Sequence, residues 1–279
     1  YAYDGTAAMH LPDAVVFPAT TGQVARVMKA AAKWRIPVTP RGGGSGMTGG
    51  SLPVMGGLVV GFNRMNRVIE IDPDNLVARL QPGVITGAFQ NQVKQLGLFY
   101  PPDPSSAGFS TMGGNLAECA GGPKAVKYGV TRDYVLGLEV VLPTGEIVRT
   151  GVRTAKGVVG YDLTRLIVGS EGTLALITEA TVRLLPLPES VMTLTAAFDS
   201  MVAAARAVAR FVRHANIPRT IEFMDNTSIR LAEDFLHVGL PVDAGALLLM
   251  EVDGKQAEIK TLARDLEARS RRLGAVSVL

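Results

Sequence analysis

The stretch Arg-Gly-Gly-Gly-Ser-Gly-Met-Thr-Gly-Gly at residues 41–50 decides the fold class of this chain. Eight glycines fall within the sixteen residues 42–57. Successive amide N–H groups in such a loop form a concave anion site, and glycine leaves no side chain in the way of a pyrophosphate. One or two glycines would only make turns, whereas this density, beside Arg41, Ser45 and Thr48, predicts a phosphate-binding loop.

Three common classes are excluded by what surrounds this loop. Residues 44–49 match the G-x-G-x-x-G pattern, but a Rossmann fold needs a helix directly after the glycines. Here Pro53 and two more glycines come next, and then an apolar strand predicted at 57–62. No Gly-Lys-Ser/Thr sequence is present, which excludes a P-loop. Ser45 lacks both the closing glycine of a nucleophile elbow and a nearby histidine, which excludes a serine hydrolase.

The composition is that of a globular protein with a large core. The chain has 279 residues, of which 47% are apolar, 19% are charged and 31 are glycine, and its net charge is +3. This content excludes intrinsic disorder, and no apolar run reaches the ~18 residues of a membrane span. The small net charge gives no reason to expect a nucleic-acid partner. Cys119 is the only cysteine, so the fold needs no intrachain disulfide.

Hydrophobic periodicity predicts a mixed α+β first domain at residues 1–187 and a second domain at 188–279. The first domain should contain a helix capped by Thr20 or Thr21, a strand at 36–38, hairpins at 68–80 and 134–150, helices at 84–96 and 162–168, and a strand at 174–185. The second should alternate strands at 191–198, 220–224 and 246–252 with helices at 200–214, 227–237 and 255–273. We expect this second domain to be a β-α-β layered unit that is cut short at its C-terminus.

A second glycine-rich region at 108–129 and a third turn at 169–173 resemble the first loop in composition. The segment 101–106 that precedes the second region is extended and rigid, because each X-Pro bond restricts the preceding residue. Small residues at this density would let a flat ligand lie against the backbone. Glu118 and Asp133 could form an acid–base pair, but surface or capping roles are the simpler interpretation.

Five ordered motifs identify a family. RGGGSGMTGG (41–50), PPDPSS (101–106), MGGNLAECAGG (112–122), KYGVTRDYVLGLEVVLPTGE (127–146) and GSEGTLALITEATVRLLP (169–186) resemble the FAD-binding domain of vanillyl-alcohol-oxidase-type flavoproteins. The chain is most similar to the family of the glycolate oxidase FAD-binding subunit and the D-lactate dehydrogenases. The resemblance implies an α+β fold with a two-subdomain, PCMH-type FAD-binding domain followed by a truncated ferredoxin-like α/β substrate (cap) domain.

The resemblance also implies which residues contact FAD. The pyrophosphate would be held by the first loop, the ADP-ribityl part and the ring by the second set, the isoalloxazine surroundings by small residues, and the adenine side by the third turn. In that order the expected residues are Arg41, Gly42, Gly43, Gly44, Ser45, Gly46, Thr48 and Gly49; Pro82, Gly83, Pro102, Asp103, Pro104, Gly113, Gly114 and Asn115; Ala117, Gly121, Gly122 and Gly129; and Glu171, Gly172 and Ile177.

Histidine usage bears on both the flavin linkage and the metal. Many relatives attach the flavin covalently through a histidine in the first loop, which has none here, so we expect non-covalent FAD. Family members also carry a metal- and substrate-binding set of His and Glu residues, which would lie beyond Leu279. His10, His214 and His237 form no ligand motif, so no metal site or catalytic residue is assigned.

The function that the resemblance implies is oxidation of a small 2-hydroxy acid, of the glycolate or D-lactate type, to the 2-oxo acid. Electrons would pass from flavin to an iron–sulfur subunit, an electron-transfer flavoprotein or quinone. The location would be cytoplasmic, with peripheral association at the inner membrane as the alternative. Two other functions stay open: an FAD-binding module or fragment that is inactive alone, and an FAD-dependent non-redox synthase on the same scaffold.

Overall fold

The chain divides into two compact units in a computed structural model that describes residues 1–154 and 156–279. The first unit comprises Tyr1–Gly122 and Val130–Leu187, and the second comprises Pro123–Gly129 and Pro188–Leu279. The sequence places the boundary near residue 187, but it gives no sign that the short segment Pro123–Gly129 belongs with the second unit.

The first unit is built on two main sheets, as the α+β prediction requires. A parallel three-stranded sheet has the order β1-β3-β2 and an antiparallel five-stranded sheet the order β4-β5-β9-β7-β8, while β6 pairs with β10. The strands are β1 (Ala14–Val16), β2 (Val38–Arg41), β3 (Leu58–Gly61), β4 (Val68–Asp72), β5 (Val77–Leu80), β6 (Leu98–Phe99), β7 (Val135–Val141), β8 (Ile147–Gly151), β9 (Leu176–Arg183) and β10 (Leu185–Pro186).

The first unit contains helices of different lengths, and capping defines both ends of the longest one. They are α1 (Thr21–Trp34), α2 (Thr86–Lys94), α3 (Met112–Glu118), α5 (Leu163–Ile167) and a 3₁₀ helix (Thr131–Tyr134). The Thr20 side chain accepts a hydrogen bond from the amide of Gln23, which confirms the predicted cap of α1. At the other end, Arg35 takes the left-handed conformation with φ +52°. The buried stripe Val24, Met28 and Ala31 faces the core.

Helix α3 is absent from the sequence prediction, which treats its residues as part of a glycine-rich loop. Each interior glycine costs a helix about 1 kcal/mol relative to alanine, so propensity disfavours this segment. The side chain of Thr111 caps the helix by accepting from the amide of Gly114 at 3.3 Å. A Cβ added at Gly113 would lie 2.5 Å from Cβ of Pro82, so tertiary packing needs the glycine that propensity disfavours.

The second unit has the ferredoxin-like order that the resemblance implies. Its sheet runs β12-β13-β11-β14 with every neighbouring pair antiparallel. The elements are α4 (Ala125–Tyr128), β11 (Ser190–Phe198), α6 (Met201–Phe211), β12 (Thr220–Asp225), α7 (Asn226–Leu236), β13 (Ala246–Gly254), α8 (Ile259–Arg272) and β14 (Ser277–Val278). Phe198, Phe211, Leu248 and Leu266 are fully buried in the core that one sheet face forms with α6 and α8.

A buried carboxylate fixes the segment Pro123–Gly129 within the second unit. Asp253 lies near the end of β13 with its side chain fully buried. Lys127 forms an ion pair with its Oδ1, the hydroxyl of Tyr128 donates to its Oδ2 at 2.7 Å, and Nε of Arg219 lies 3.7 Å from Oδ2. A buried carboxylate needs such partners, because an unpaired one would cost several kcal/mol of desolvation. None of the helices that the structure describes is long and apolar enough to cross a membrane.

Candidate functional site

A cleft in the first unit collects the three glycine-rich segments of the sequence. It contains about 1110 Å³ of empty space, counting the solvent at its mouth. The predicted residues that line the cleft are Arg41, Gly42, Gly43, Gly44, Ser45, Gly46, Pro82, Pro104, Gly113, Gly114, Asn115, Ala117, Glu171, Gly172 and Ile177.

The first glycine loop offers a run of free main-chain donors. Within the part of the chain that the structure describes, no amide from Gly42 to Met47 donates a hydrogen bond to a protein acceptor. Gly42, Gly44, Ser45 and Gly46 are half-buried, and half-buried amides are otherwise nearly always paired, so these four mark a place for an acceptor from outside the chain. These amides are therefore suited to phosphate oxygens, which carry only acceptor groups.

Close packing shows why this loop needs glycine. A Cβ at Gly43 would lie 2.6 Å from the carbonyl oxygen of Phe109, and one at Gly44 would lie 2.5 Å from Cζ of Arg41. Gly44 also has φ +67°, a conformation that side chains rarely adopt. The loop thus lies directly against the wall formed by residues 109–111, with its own backbone facing the cleft.

A buried network of hydrogen bonds stiffens the wall against which the loop packs. Asn115 Nδ2 donates to Oγ1 of Thr86 at 2.6 Å, and that hydroxyl lies 3.1 Å from both the carbonyl and the hydroxyl oxygen of Ser110. All three side chains are buried. Buried, satisfied polar groups of this kind fix a local conformation, so Asn115 supports the wall as well as lining the cleft.

The turn at 169–173 is joined to the C-terminal end of α3 by main-chain hydrogen bonds. The amide of Gly169 donates to the carbonyl of Leu116, and that of Glu171 to the carbonyl of Ala117, both at 2.9 Å. Arg132 adds a hydrogen bond from Nη2 to the carbonyl of Val168 at 2.8 Å. The second and third motifs of the sequence therefore form one continuous wall.

Two carboxylates border the cleft on this side. Thr48 donates to Oε1 of Glu118 at 3.2 Å, and a Cβ placed on Gly50 would lie 3.2 Å from both Glu118 Oε1 and Glu171 Oε2. Burial, followed by repulsion from Glu171, raises the pKa of Glu118 above its ordinary value. Asp133 lies elsewhere and accepts from the amide of Val130 at 2.9 Å, in the capping role that the sequence favours.

Other predicted site residues lie outside the lining of this cleft: Thr48, Gly49, Gly83, Pro102, Asp103, Gly121, Gly122 and Gly129. Gly83 lines a second cavity behind the loop, and its amide donates to Met65. The carbonyl of Pro102 accepts from Gln90 at 2.8 Å. A Cβ on Gly122 would meet the Asp103 carboxylate at 2.6 Å, so this glycine permits a close backbone approach. Gly129 follows α4 in the second unit.

Sequence reasoning also missed part of the lining: Pro40, Gly50, Ser51, Phe62, Ser106, Ser110, Thr111, Glu118, Ala120, Ser170, Ala175 and Leu176. Several of these residues lie inside the five motifs, next to residues that the resemblance places in contact with FAD. Phe62 and Leu176 carry no local signal of a ligand site. Each is an apolar residue at the end of a strand, and such residues usually belong to the core, so only the tertiary fold shows that these two line the cleft.

Two family models match the chain. The one described as FAD binding domain matches residues 12–151, and the one described as FAD linked oxidases, C-terminal domain, matches residues 187–279. The chain belongs to the FAD-linked oxidases. FAD is accordingly its cofactor, and the free amides and close glycines of the cleft fit such a ligand. The predicted family is confirmed.

Relatives of known name support the narrower resemblance. The chain is 48% identical over 279 residues to the glycolate oxidase subunit GlcD of Bacillus subtilis, covering 100% of this chain and 59% of that protein. It is 39% identical over 253 residues to the D-lactate dehydrogenase of Anaerostipes hadrus, covering 88% and 53%. A structure of alkyldihydroxyacetonephosphate synthase matches with TM-score 0.79 and 25% identity, over 95% of this chain and 51% of that one. The chain thus spans little more than half the length of these relatives.

Proposed function

We propose that this chain carries the FAD site of an oxidoreductase that converts a small 2-hydroxy acid, of the glycolate or D-lactate type, to the corresponding 2-oxo acid. The observation that carries the proposal is the run of free amides from Gly42 to Gly46 along the cleft. Similarity to a glycolate oxidase subunit and a D-lactate dehydrogenase supplies the substrate class.

The proposed binding mode assigns the diphosphate to the main chain of Gly42–Gly46, with Thr48 and Gly49 at the end of the loop. The other predicted residues would contact the remaining parts of the dinucleotide as the resemblance implies. We propose non-covalent binding, since residues 41–50 contain no histidine to form a link to the flavin. Cys119 lies outside the cleft lining and ends helix α3 in the left-handed conformation, which is a structural role.

When bound, the flavin supplies a two-electron acceptor for the hydride on the carbon that bears the substrate hydroxyl. The part of this chain is to bind and orient the dinucleotide and to keep water from the buried wall of the cleft. The electrons would then leave to an iron–sulfur subunit, an electron-transfer flavoprotein or quinone. We place the protein in the cytoplasm, with peripheral association at the inner membrane as the alternative, and a fold that needs no disulfide supports the cytoplasm.

Anaerobic photometry of the FAD-reconstituted chain tests this proposal. Glycolate or D-lactate should bleach the blue absorbance of the oxidised flavin, while L-lactate serves as the matched control for stereochemistry. Bleaching by a 2-hydroxy acid supports the oxidoreductase. Bound flavin that no 2-hydroxy acid bleaches contradicts it for this chain, and failure to bind FAD contradicts every function proposed here.

Two alternatives rest on specific observations. The first is an FAD-binding module that turns over no substrate by itself, which the match of residues 12–151 to the FAD binding domain supports. The structural match to alkyldihydroxyacetonephosphate synthase favours a non-redox synthase, although its identity of 25% is far below the 48% to the glycolate oxidase subunit. Formation of an alkyldihydroxyacetonephosphate by chain whose flavin stays oxidised would select the synthase.

A further inference from the structure

The proline segment, residues 101–106, forms part of the lining of the cleft but has few main-chain donors of its own. Pro104 and Ser106 line the cleft, and Pro101 and Pro102 are buried. Proline has no amide N–H, so three of these six residues cannot donate a main-chain hydrogen bond. The segment belongs to no helix or strand. Donors from elsewhere in the fold must therefore reach its buried carbonyl groups and fix its position.

Gln90 on helix α2 supplies such a donor. Its Nε2 donates to the carbonyl of Pro102 at 2.8 Å and to the carbonyl of Tyr100 at 3.3 Å. These two carbonyls flank Pro101, so one side chain holds three consecutive residues. The ring of Phe89, the residue before Gln90, packs edge-on against the ring of Tyr100 with the ring centroids 5.3 Å apart. Helix α2 is therefore joined to the start of the proline segment by both polar and apolar contacts.

The same helix holds the chain that follows the proline segment. The amide of Gly87 donates to the carbonyl of Ala107 at 2.8 Å, and a Cβ on Gly87 would lie 3.1 Å from that oxygen. One residue earlier, the amide of Thr86 donates to the carbonyl of Ser110 at 3.0 Å. Main-chain hydrogen bonds thus fix one end of the proline segment against α2, whereas the side chain of Gln90 fixes the other end. A substitution of Gln90 therefore releases one end alone.

We propose that Gln90 is a positioning residue for the dinucleotide: it fixes the proline segment against helix α2, and so keeps Pro104 and Ser106 in place along the cleft. The proposal rests on the proposed FAD site. Gln90 does not line the cleft itself, so it acts through the segment that does. A lining that is fixed before the ligand arrives costs no ordering entropy on binding, whereas a loose one does.

Two substitutions of Gln90 test the proposal through the affinity for FAD. Gln90→Leu removes the donor and keeps a side chain of similar size, and it should weaken FAD binding by about tenfold, which corresponds to about 1.4 kcal/mol. Gln90→Glu tests the hydrogen bond itself, because a carboxylate cannot donate to a carbonyl whereas a protonated carboxyl can. Its FAD affinity relative to wild type should be lowest at about pH 8 and recover toward about pH 5. The same ratio for Gln90→Leu should not change with pH.

Gln92→Leu is the matched control, because Gln92 is exposed on the same helix and lies outside the lining of the cleft. It should leave FAD affinity within about twofold of wild type. Melting temperatures of the ligand-free variants show in parallel that each one is folded. An affinity of Gln90→Leu equal to that of the control would overturn the proposal, and so would a ratio for Gln90→Glu that does not change with pH. Wild-type chain that binds no FAD would instead refute the FAD site itself, which is a separate result.

Discussion

Replacing Gly43 by alanine should damage ligand binding more than folding. The added Cβ would lie 2.6 Å from the carbonyl oxygen of Phe109 and 3.3 Å from Cα of Ser110. Real Cβ atoms essentially never come closer than 3.0 Å to a heavy atom outside their own residue and its two chain neighbours. Either the glycine loop or the wall at residues 109–111 must therefore move, and the hydrogen bonds that each one makes decide which of them does.

The wall is the side that resists movement. The carbonyl of Ser110 accepts from the amide of Thr86 at 3.0 Å, and its own amide donates to Ser106 at 2.7 Å. In the residues that the structure describes, the amides from Gly42 to Met47 have no such partners. The loop should shift, and overpacking of this kind costs about 1–3 kcal/mol. Because the shift misdirects the ligand's donors, we expect FAD affinity to fall by about 5- to 150-fold.

Gly108→Ala is the matched control for this experiment. It makes the same chemical change in the same unit, and a Cβ there would meet nothing within 4 Å. Affinities should be measured by quenching of flavin fluorescence, with the melting temperature of the ligand-free protein in parallel. An affinity of Gly43→Ala within about twofold of the Gly108→Ala value would refute the reasoning, since strain of about 1 kcal/mol or more must appear as at least fivefold.

Four further outcomes are expected. Asp253→Ala should cost about 3–5 kcal/mol in urea unfolding, because it leaves Lys127 beside a vacated buried site, and a loss below about 1 kcal/mol would contradict the ion-pair geometry. Thr20→Ala should cost about 1 kcal/mol in the same assay through loss of the helix cap, with Thr20→Ser, which keeps an accepting hydroxyl, as the milder comparison. Burial and Glu171 raise the pKa of Glu118, so the ionised form of this side chain destabilises the fold. Glu118→Gln should therefore raise the melting temperature at about pH 7, where Glu118 is ionised. At about pH 4, where Glu118 is protonated, the substitution should leave the melting temperature unchanged. Because the lining of the cleft carries more negative than positive charge, FAD affinity should stay the same or rise when salt is increased from about 0.05 to about 0.5 M. A marked fall in affinity would show that attraction to positive surface charge dominates binding.

Much of the fold could be predicted from local sequence because local chemistry decides it. The turn between β4 and β5 forms at 72–75, where the Asp72 side chain accepts from the amide of Asn75 at 3.0 Å. Thr20 caps α1, and Gly97, with φ +72°, follows α2 as the predicted helix end. Each of these signals lies within a few residues of the structure that it determines.

The rest depends on residues that are far apart in the chain. Helix α3 forms despite two glycines because Pro82 approaches Gly113 and Thr111 caps it, and neither fact is visible from the segment's propensity. The segment Pro123–Gly129 lies among glycine motifs of the first unit, yet Lys127 pairs with a carboxylate 126 positions away. Of the predicted glycines, those at 42–44, 46, 113, 114 and 172 line the cleft, where close backbone approach demands glycine. Phe62 and Ser110 join the lining only through the fold.

The charges around the cleft explain why its main chain must supply the attraction for an anion. The charged residues that line it are Arg41, Glu118 and Glu171, so its side chains carry more negative than positive charge. A diphosphate would be repelled by such side chains, and only dipoles that are fixed in direction can overcome that repulsion. Amide groups provide those dipoles without titrating, but only where no side chain intervenes. The concentration of glycine in these loops is therefore an electrostatic requirement as much as a steric one, and it makes the orientation of the loop, rather than its charge, the property on which binding depends.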